Sequence, residues 1–356
     1  MKQINRVKQI VAIMLMVVIL ATSVSGTVKA ADVNLSDIHV SEEEYASVMS
    51  SVVEPYLDSY RQSGYFTGAD DLSIYYEKFL VDNPKGTVIV SHGFTENLVK
   101  MGEMIYYFMK MGYSVYGLEH RGHARSGRLG VDSSQVNVDK FQYYVDDMKT
   151  FLDEIVIPEA TDENLYVYGH SLGGGIAVRF LEEYPDYFDG AILNAPMIEV
   201  NTGSVPAWIA KIIAYGASIT PFKNDYIAGQ GTYDGSYDFE GSGTSSQARY
   251  DYYFDIQSNT ELFQMNGGSY HWLKECFWAT HLMRKESEAS KVTIPVLLFQ
   301  AGQDAYVGND GEDTFASYAK NCTVVRYENG KHEMFRECDN IQIPYLIETF
   351  DFLSRL

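Results

Sequence analysis

Asn164-Leu-Tyr-Val-Tyr-Gly-His-Ser171-Leu-Gly-Gly-Gly-Ile-Ala-Val-Arg-Phe-Leu181 decides the fold. Residues 165–168 are apolar and aromatic and read as a buried strand. The run breaks at Gly169-His-Ser-Leu-Gly173, and from Ile176 onward the pattern turns helical. An ordinary glycine-rich turn could carry the same letters. A strand before it and a helix after it favour a nucleophile elbow with Ser171 at its tip. The flanking glycines then have a reason, since side chains at 169 and 173 would collide with the neighbouring strand and helix. The helix that follows offers free N–H groups and a dipole that stabilise negative charge beside Ser171.

Outward from the elbow, strands and helices alternate. Residues 72–81, 87–91, 113–118, 189–195, 295–301 and 323–327 read as strands. Residues 98–111, 138–157 and 343–356 read as helices, the second with an apolar face of Phe141, Val145, Met148, Phe151 and Leu152. The expected fold class is α/β, with a mostly parallel central sheet, helices on both faces and an inserted helical cap. The core spans residues 71–197 and 291–356, and the cap is the aromatic-rich insertion 198–290, with helical pieces at 208–219 and 270–289. A helical extension over 31–70 precedes the core, with Ser41 and Glu44 placed as a capping box. Insertions of the cap's length in compact domains usually serve function, so it is expected to lie over the elbow.

Residues 1–30 read as a signal peptide: Lys2, Arg6 and Lys8 precede an apolar run over 10–21, and Val28-Lys-Ala30 offers a cleavage site. An uncleaved membrane anchor is the alternative. The expected location is therefore exported, secreted or attached to the cell envelope. The formal net charge of −21 argues against nucleic acid as a partner. Cys276, Cys322 and Cys338 are too few for a disulfide framework, and none has metal-ligand spacing.

A serine hydroxyl needs a base, and the base needs an orienting acid. In a sheet of this kind both should follow strand ends. Asp304 follows the strand ending at Ala301, and His332 follows the strand ending at Tyr327. The order Ser171, Asp304, His332 fits the elbow. Asp310, Glu312 and Asp313 lie further from the strand end, and Glu333 is read as a neighbour that solvates His332. His92, His120, His123, His170, His271 and His281 are read as structural, and His39 carries no signal. Two N–H donors should hold the oxyanion, from Leu172 after the nucleophile and from Phe94 in the loop after 87–91. Nothing in the sequence calls for a metal, a nucleotide or another cofactor.

The chain resembles the α/β-hydrolase superfamily and, within it, the bacterial lysophospholipase and monoacylglycerol lipase group. The resemblance rests on Ser91-His-Gly-Phe-Thr-Glu96, Glu119-His-Arg-Gly-His-Ala-Arg-Ser-Gly-Arg128, Gly169-His-Ser-Leu-Gly-Gly174, Asn194-Ala-Pro-Met197, Gln300-Ala-Gly-Gln-Asp304 and Lys331-His-Glu333. Tyr144-Val-Asp-Asp147 and Tyr270-His-Trp272 add to it. Glu119 and Ala124 depart from the group's usual Asp and Gly. The resemblance implies a serine ester hydrolase that cleaves a monoacyl lipid, with transient contact with lipid aggregates. Arg121, Arg125 and Arg128 could meet a phosphate head group or simply pair within their loop, and the second reading is preferred. The alternatives are a carboxylesterase, thioesterase or peptidase acting on smaller acyl groups, and a non-catalytic binding protein on the same scaffold.

Overall fold

The computed structural model describes residues 34–160 and 164–356. The signal-peptide reading of residues 1–30 lies outside them. From Leu35 to Leu356 the chain forms one compact unit.

Among the described residues, eight strands make one sheet in the order β1-β2-β4-β3-β5-β6-β7-β8. They are β1 (Arg61–Thr67), β2 (Ser73–Phe79), β3 (Thr87–Ser91), β4 (Ser114–Leu118), β5 (Leu165–His170), β6 (Gly190–Asn194), β7 (Val296–Ala301) and β8 (Cys322–Tyr327). β1 and β4 pair antiparallel with β2, and every later pairing is parallel. β3, β4, β6 and β7 are buried along their whole length, as strands covered on both faces must be. This is the expected α/β architecture.

Three expectations need correction. The extension over 31–70 is not helical throughout: its helical part ends at Tyr60, and Arg61–Thr67 is an edge strand registered against β2, from Arg61 opposite Phe79 to Thr67 opposite Ser73. Only Phe66 of that strand is buried, so it lacks the apolar signal of a core strand. The capping box does not form either. The helical turn begins at Tyr45 after Glu44, with no side-chain cap bond. The buried stripe there is Tyr45, Met49, Val53 and Leu57, while Val52 faces solvent. Finally, the helix expected over 138–157 is α-helical over Gln142–Phe151 and π-helical over Leu152–Val156. Its five expected face residues are all buried.

The insertion between β6 and β7 carries the helices Ala207–Ser218, Gln247–Asn259 and Tyr270–Met283 and a short one at Glu286–Ala289. The second was not legible from pattern, because its buried residues include Arg249 and Tyr253 rather than an aliphatic stripe. Cys276, Cys322 and Cys338 are free thiols.

Candidate active site

Ser171 closes β5 and opens the helix Leu172–Glu183. Its φ of 51° and ψ of −118° lie where an L-residue is strained. Three backbone bonds hold that conformation. The Ser171 amide donates to Asn194 O at 3.1 Å, and the Ser171 carbonyl accepts from Gly175 at 3.0 Å and Met197 at 2.8 Å. The glycines are required by space. A Cβ on Gly173 would lie 2.1 Å from the Ser91 carbonyl oxygen, and one on Gly169 would lie 2.8 Å from Gly174 Cα.

His332 and Asp304 meet, one from the loop after β8 and the other from the loop after its neighbour β7. His332 Nδ1 lies 2.6 Å from Asp304 Oδ2. The other oxygen, Oδ1, accepts the amides of Tyr306 at 2.7 Å and Val307 at 2.9 Å. Burial pushes the Asp304 carboxyl up, but His332 and those amides outweigh it and hold the group below the ordinary aspartate range. An ionised Asp304 accepts the Nδ1 proton, which leaves Nε2 free as a base. Ser171 and His332 line one cavity of about 660 Å³, although their side chains are not hydrogen-bonded to each other here. None of the rival acids touches the imidazole. Asp313 accepts from Gln300, and burial pushes the Glu312 carboxyl well above the ordinary glutamate range.

Phe94 also lines the cavity, its ring stacked on Trp272 with centroids 4.2 Å apart. Among the described residues, neither the Phe94 nor the Leu172 amide has a protein acceptor, so both remain available to a bound oxyanion.

Sequence reasoning missed the polar cluster at one end of this cavity. Lys100 Nζ lies 2.8 Å from Glu96 and 2.7 Å from Glu333, and Arg336 pairs with Glu333 at 2.5 Å. Burial raises both carboxyls, yet Lys100 and its neighbours bring Glu96 and Glu333 below the ordinary range. Glu333 is thus an ion-pair partner rather than a solvating neighbour of His332. His170 is driven down to about 4 by burial, with Glu96 partly opposing the shift. Much of the remaining wall is apolar, from Met197, Val205, Ile213, Ile227 and Leu273, interrupted by Asn201, Thr202, Gln230 and Asn266. Trp208 and Tyr215 of the cap face solvent instead of this space.

The arginines of the 119–128 loop are committed elsewhere. Arg121 makes a bidentate pair with Asp147, both bonds at 2.7 Å, which joins two of the stretches that carried the resemblance. Arg125 pairs with Glu119 and Glu77, and Arg128 donates to the Ser133 carbonyl. Ala124 sits at φ 37°, in the left-handed region that favours glycine.

Sheet order, elbow and Asp–His pair together define an α/β hydrolase. The family model described as Serine aminopeptidase, S33 matches residues 82–339, and the chain belongs to that family of serine hydrolases. It is similar to lysophospholipase L2 of Escherichia coli strain K12. The two are 29% identical over 312 residues, covering 85% of this chain and 90% of that protein. It also matches a monoacylglycerol lipase of Mycolicibacterium smegmatis, 29% identical over 171 residues, 47% of this chain and 59% of that one. Among solved structures, a soluble variant of monoglyceride lipase from Saccharomyces cerevisiae has a TM-score of 0.68 at 18% identity. That match covers 83% of this chain and 94% of the yeast chain.

Proposed function

We propose that the protein is an exported serine hydrolase that cleaves the carboxylic ester of a monoacyl lipid, with Ser171 as nucleophile, His332 as base and Asp304 as its orienting acid. The observation that carries this reading is a serine held at positive φ on a helix N-terminus, opening with the Asp304-bound imidazole onto one largely apolar cavity. Ser171 Oγ attacks the ester carbonyl carbon as its proton passes to His332 Nε2. The carbonyl π pair moves to oxygen, where the Phe94 and Leu172 amides stabilise the charge. Collapse of that intermediate breaks the bond to the alcohol, which leaves with the His332 proton. Water then attacks the acyl-Ser171 ester by the same route and releases the fatty acid.

The cavity favours an uncharged glycerol head over a phosphorylated one. Lys100 is the lining cation among the described residues, and it is spent on two carboxylates. A phosphate would have to displace one of them. The same pairing leaves neither Glu96 nor Glu333 free for the α-ammonium group that an aminopeptidase must hold. On the helix Ala207–Ser218, Ala210 and Ile213 face the cavity, while Trp208 and Ile212 are 65% and 64% exposed, with Ile219 beyond the helix at 87%. An apolar face of this kind beside the cavity suits transient contact with lipid aggregates.

The test is a turnover panel: a 1-monoacylglycerol, its 3-phosphate and a lysophosphatidylcholine at matched acyl chain, beside a short p-nitrophenyl ester and an aminoacyl arylamide. The expected order places the monoacylglycerol first and the 3-phosphate at least tenfold lower. Turnover of the arylamide alone would replace this reading with a peptidase.

A further inference from the structure

The loop that follows β3 carries two buried polar side chains, His92 and Glu96. His92 is fully buried, and its Nε2 lies 3.0 Å from the His120 amide nitrogen. A backbone N–H can only donate, so Nε2 is unprotonated and the neutral ring carries its proton on Nδ1. That Nδ1 lies 2.8 Å from the Gly93 carbonyl oxygen. From the other side, Glu96 Oε2 accepts the Gly93 amide at 2.6 Å. Both polar groups of Gly93 are therefore held by side chains, and the carbonyl also accepts the Glu96 amide at 3.3 Å.

The Gly93 carbonyl and the Phe94 amide belong to the same trans peptide, so they point in opposite directions. Fixing the carbonyl on His92 fixes the Phe94 N–H on the opposite edge. Thr95 follows at φ 57°, a conformation that a β-branched residue keeps only when its surroundings impose it. The hold extends to the elbow. His120 Nε2 meets Ser91 Oγ at 3.1 Å, and Ser91 Oγ donates to the Gly173 carbonyl at 3.0 Å. A side chain on Gly93 would strike Glu96 at 2.7 Å, which explains the glycine.

We infer that His92 and Glu96 are positioning residues that clamp the Gly93–Phe94 peptide, so that the Phe94 N–H is aimed before substrate arrives at the place where the oxyanion forms. The inference rests on the functional reading above and assigns to His92 a role in transition-state stabilisation without contact with substrate. Preorganised donors are effective because they do not have to reorient during the reaction.

The test uses the full chain and an alkyl trifluoromethyl ketone. Ser171 Oγ adds to the ketone carbon, the proton goes to His332, and the carbonyl pair becomes the hemiketal oxyanion. His92→Leu removes the Nδ1 donor. His92→Asn retains a donor at the same distance from the backbone. His92→Leu should weaken ketone affinity and lower kcat by about 10²–10³-fold. KM and affinity for the matching secondary alcohol, which forms no oxyanion, should stay within about threefold, the scatter expected where ground-state binding is untouched. His92→Asn should restore at least a tenth of wild-type ketone affinity. If His92→Leu does not fold, His92→Gln, which also lacks a donor at the δ position, takes its place against His92→Asn. Equal losses for ketone and alcohol, or no advantage of Asn over the donor-less variant, would overturn the clamp. Fluorophosphonate labelling of wild-type Ser171 checks the functional reading separately. Labelling with ketone affinity indifferent to His92 sinks the clamp alone, and absence of labelling sinks both.

Discussion

Arg249→Met tests what fastens the cap to the core. Arg249 lies in the cap helix Gln247–Asn259 and is 0% exposed. Its guanidinium meets the Glu103 carboxylate at 3.2 Å, Asp339 at 3.1 Å and Gln342 at 2.7 Å. It also donates to the carbonyls of Val40 at 2.8 Å and Glu337 at 3.0 Å. One side chain therefore joins the cap, the N-terminal segment, the helix Gly102–Lys110 and the C-terminal helix Asp339–Leu353. Methionine keeps the apolar stem and removes the charge. Breaking a buried pair costs about 3–5 kcal/mol, because the partner charge is left uncompensated. Glu103 retains three donors, from Tyr45 at 3.0 Å, Tyr107 at 2.8 Å and Gln342 at 2.9 Å, which places the loss at the lower end. The two orphaned carbonyls add about 1 kcal/mol each. The expected loss is about 5 kcal/mol in urea unfolding. Adding Glu103→Gln removes the stranded charge and should recover about 2 kcal/mol, as a coupled pair does in a double-mutant cycle. A single variant that loses less than about 1 kcal/mol, or a double variant less stable than the single, would refute this account of Arg249.

Three further outcomes are expected. Because the folded-state pKa of His170 is about 4, below the unfolded value, the folded state binds fewer protons. Stability is complete above about pH 6.5 and falls as pH drops toward 4, by about 3 kcal/mol from this group. Urea unfolding at pH 7 and pH 4.5 should show His170→Asn losing roughly 2 kcal/mol less than wild type over that interval; equal losses would contradict the assignment. Gly173→Ala drives a Cβ into backbone atoms of Ser91 and His92 at 2.1 to 2.5 Å and should cost about 3 kcal/mol or more in the same assay. Asp304→Asn should lower kcat by about 10⁴-fold in steady-state assays, because the imidazole then loses its oriented tautomer, and a loss under tenfold would speak against it.

The elbow, the core strands and the Asp304–His332 pair were legible because each leaves a local mark: an apolar run, a glycine turn, or a polar residue just past a strand end. β1 left no such mark. It is an edge strand with one buried residue, and its sequence, Arg-Gln-Ser-Gly-Tyr-Phe-Thr, is half polar. The helix around Arg249 was hidden for another reason. Its buried face is polar and is satisfied by residues between Val40 and Gln342, so its logic exists only after folding. The Lys100–Glu333 bridge joins residues 233 positions apart and is equally silent in sequence. The aromatic-rich cap is expected from sequence to lie over the elbow, yet not all of its aromatics reach the cavity. Tyr237 packs edge-on against Tyr250 and Phe254, which stack on each other, and much of the apolar lining comes from aliphatic residues. Composition reports that aromatics are present, not which way they face.

The central claim is tested most directly by incubating the protein with a fluorophosphonate and mapping the adduct by mass spectrometry, with Ser171→Ala alongside. The account predicts one phosphonyl group on Ser171 in the wild type, none in the variant, and loss of ester turnover by several orders of magnitude. An adduct on another serine, or turnover that survives Ser171→Ala, would contradict it.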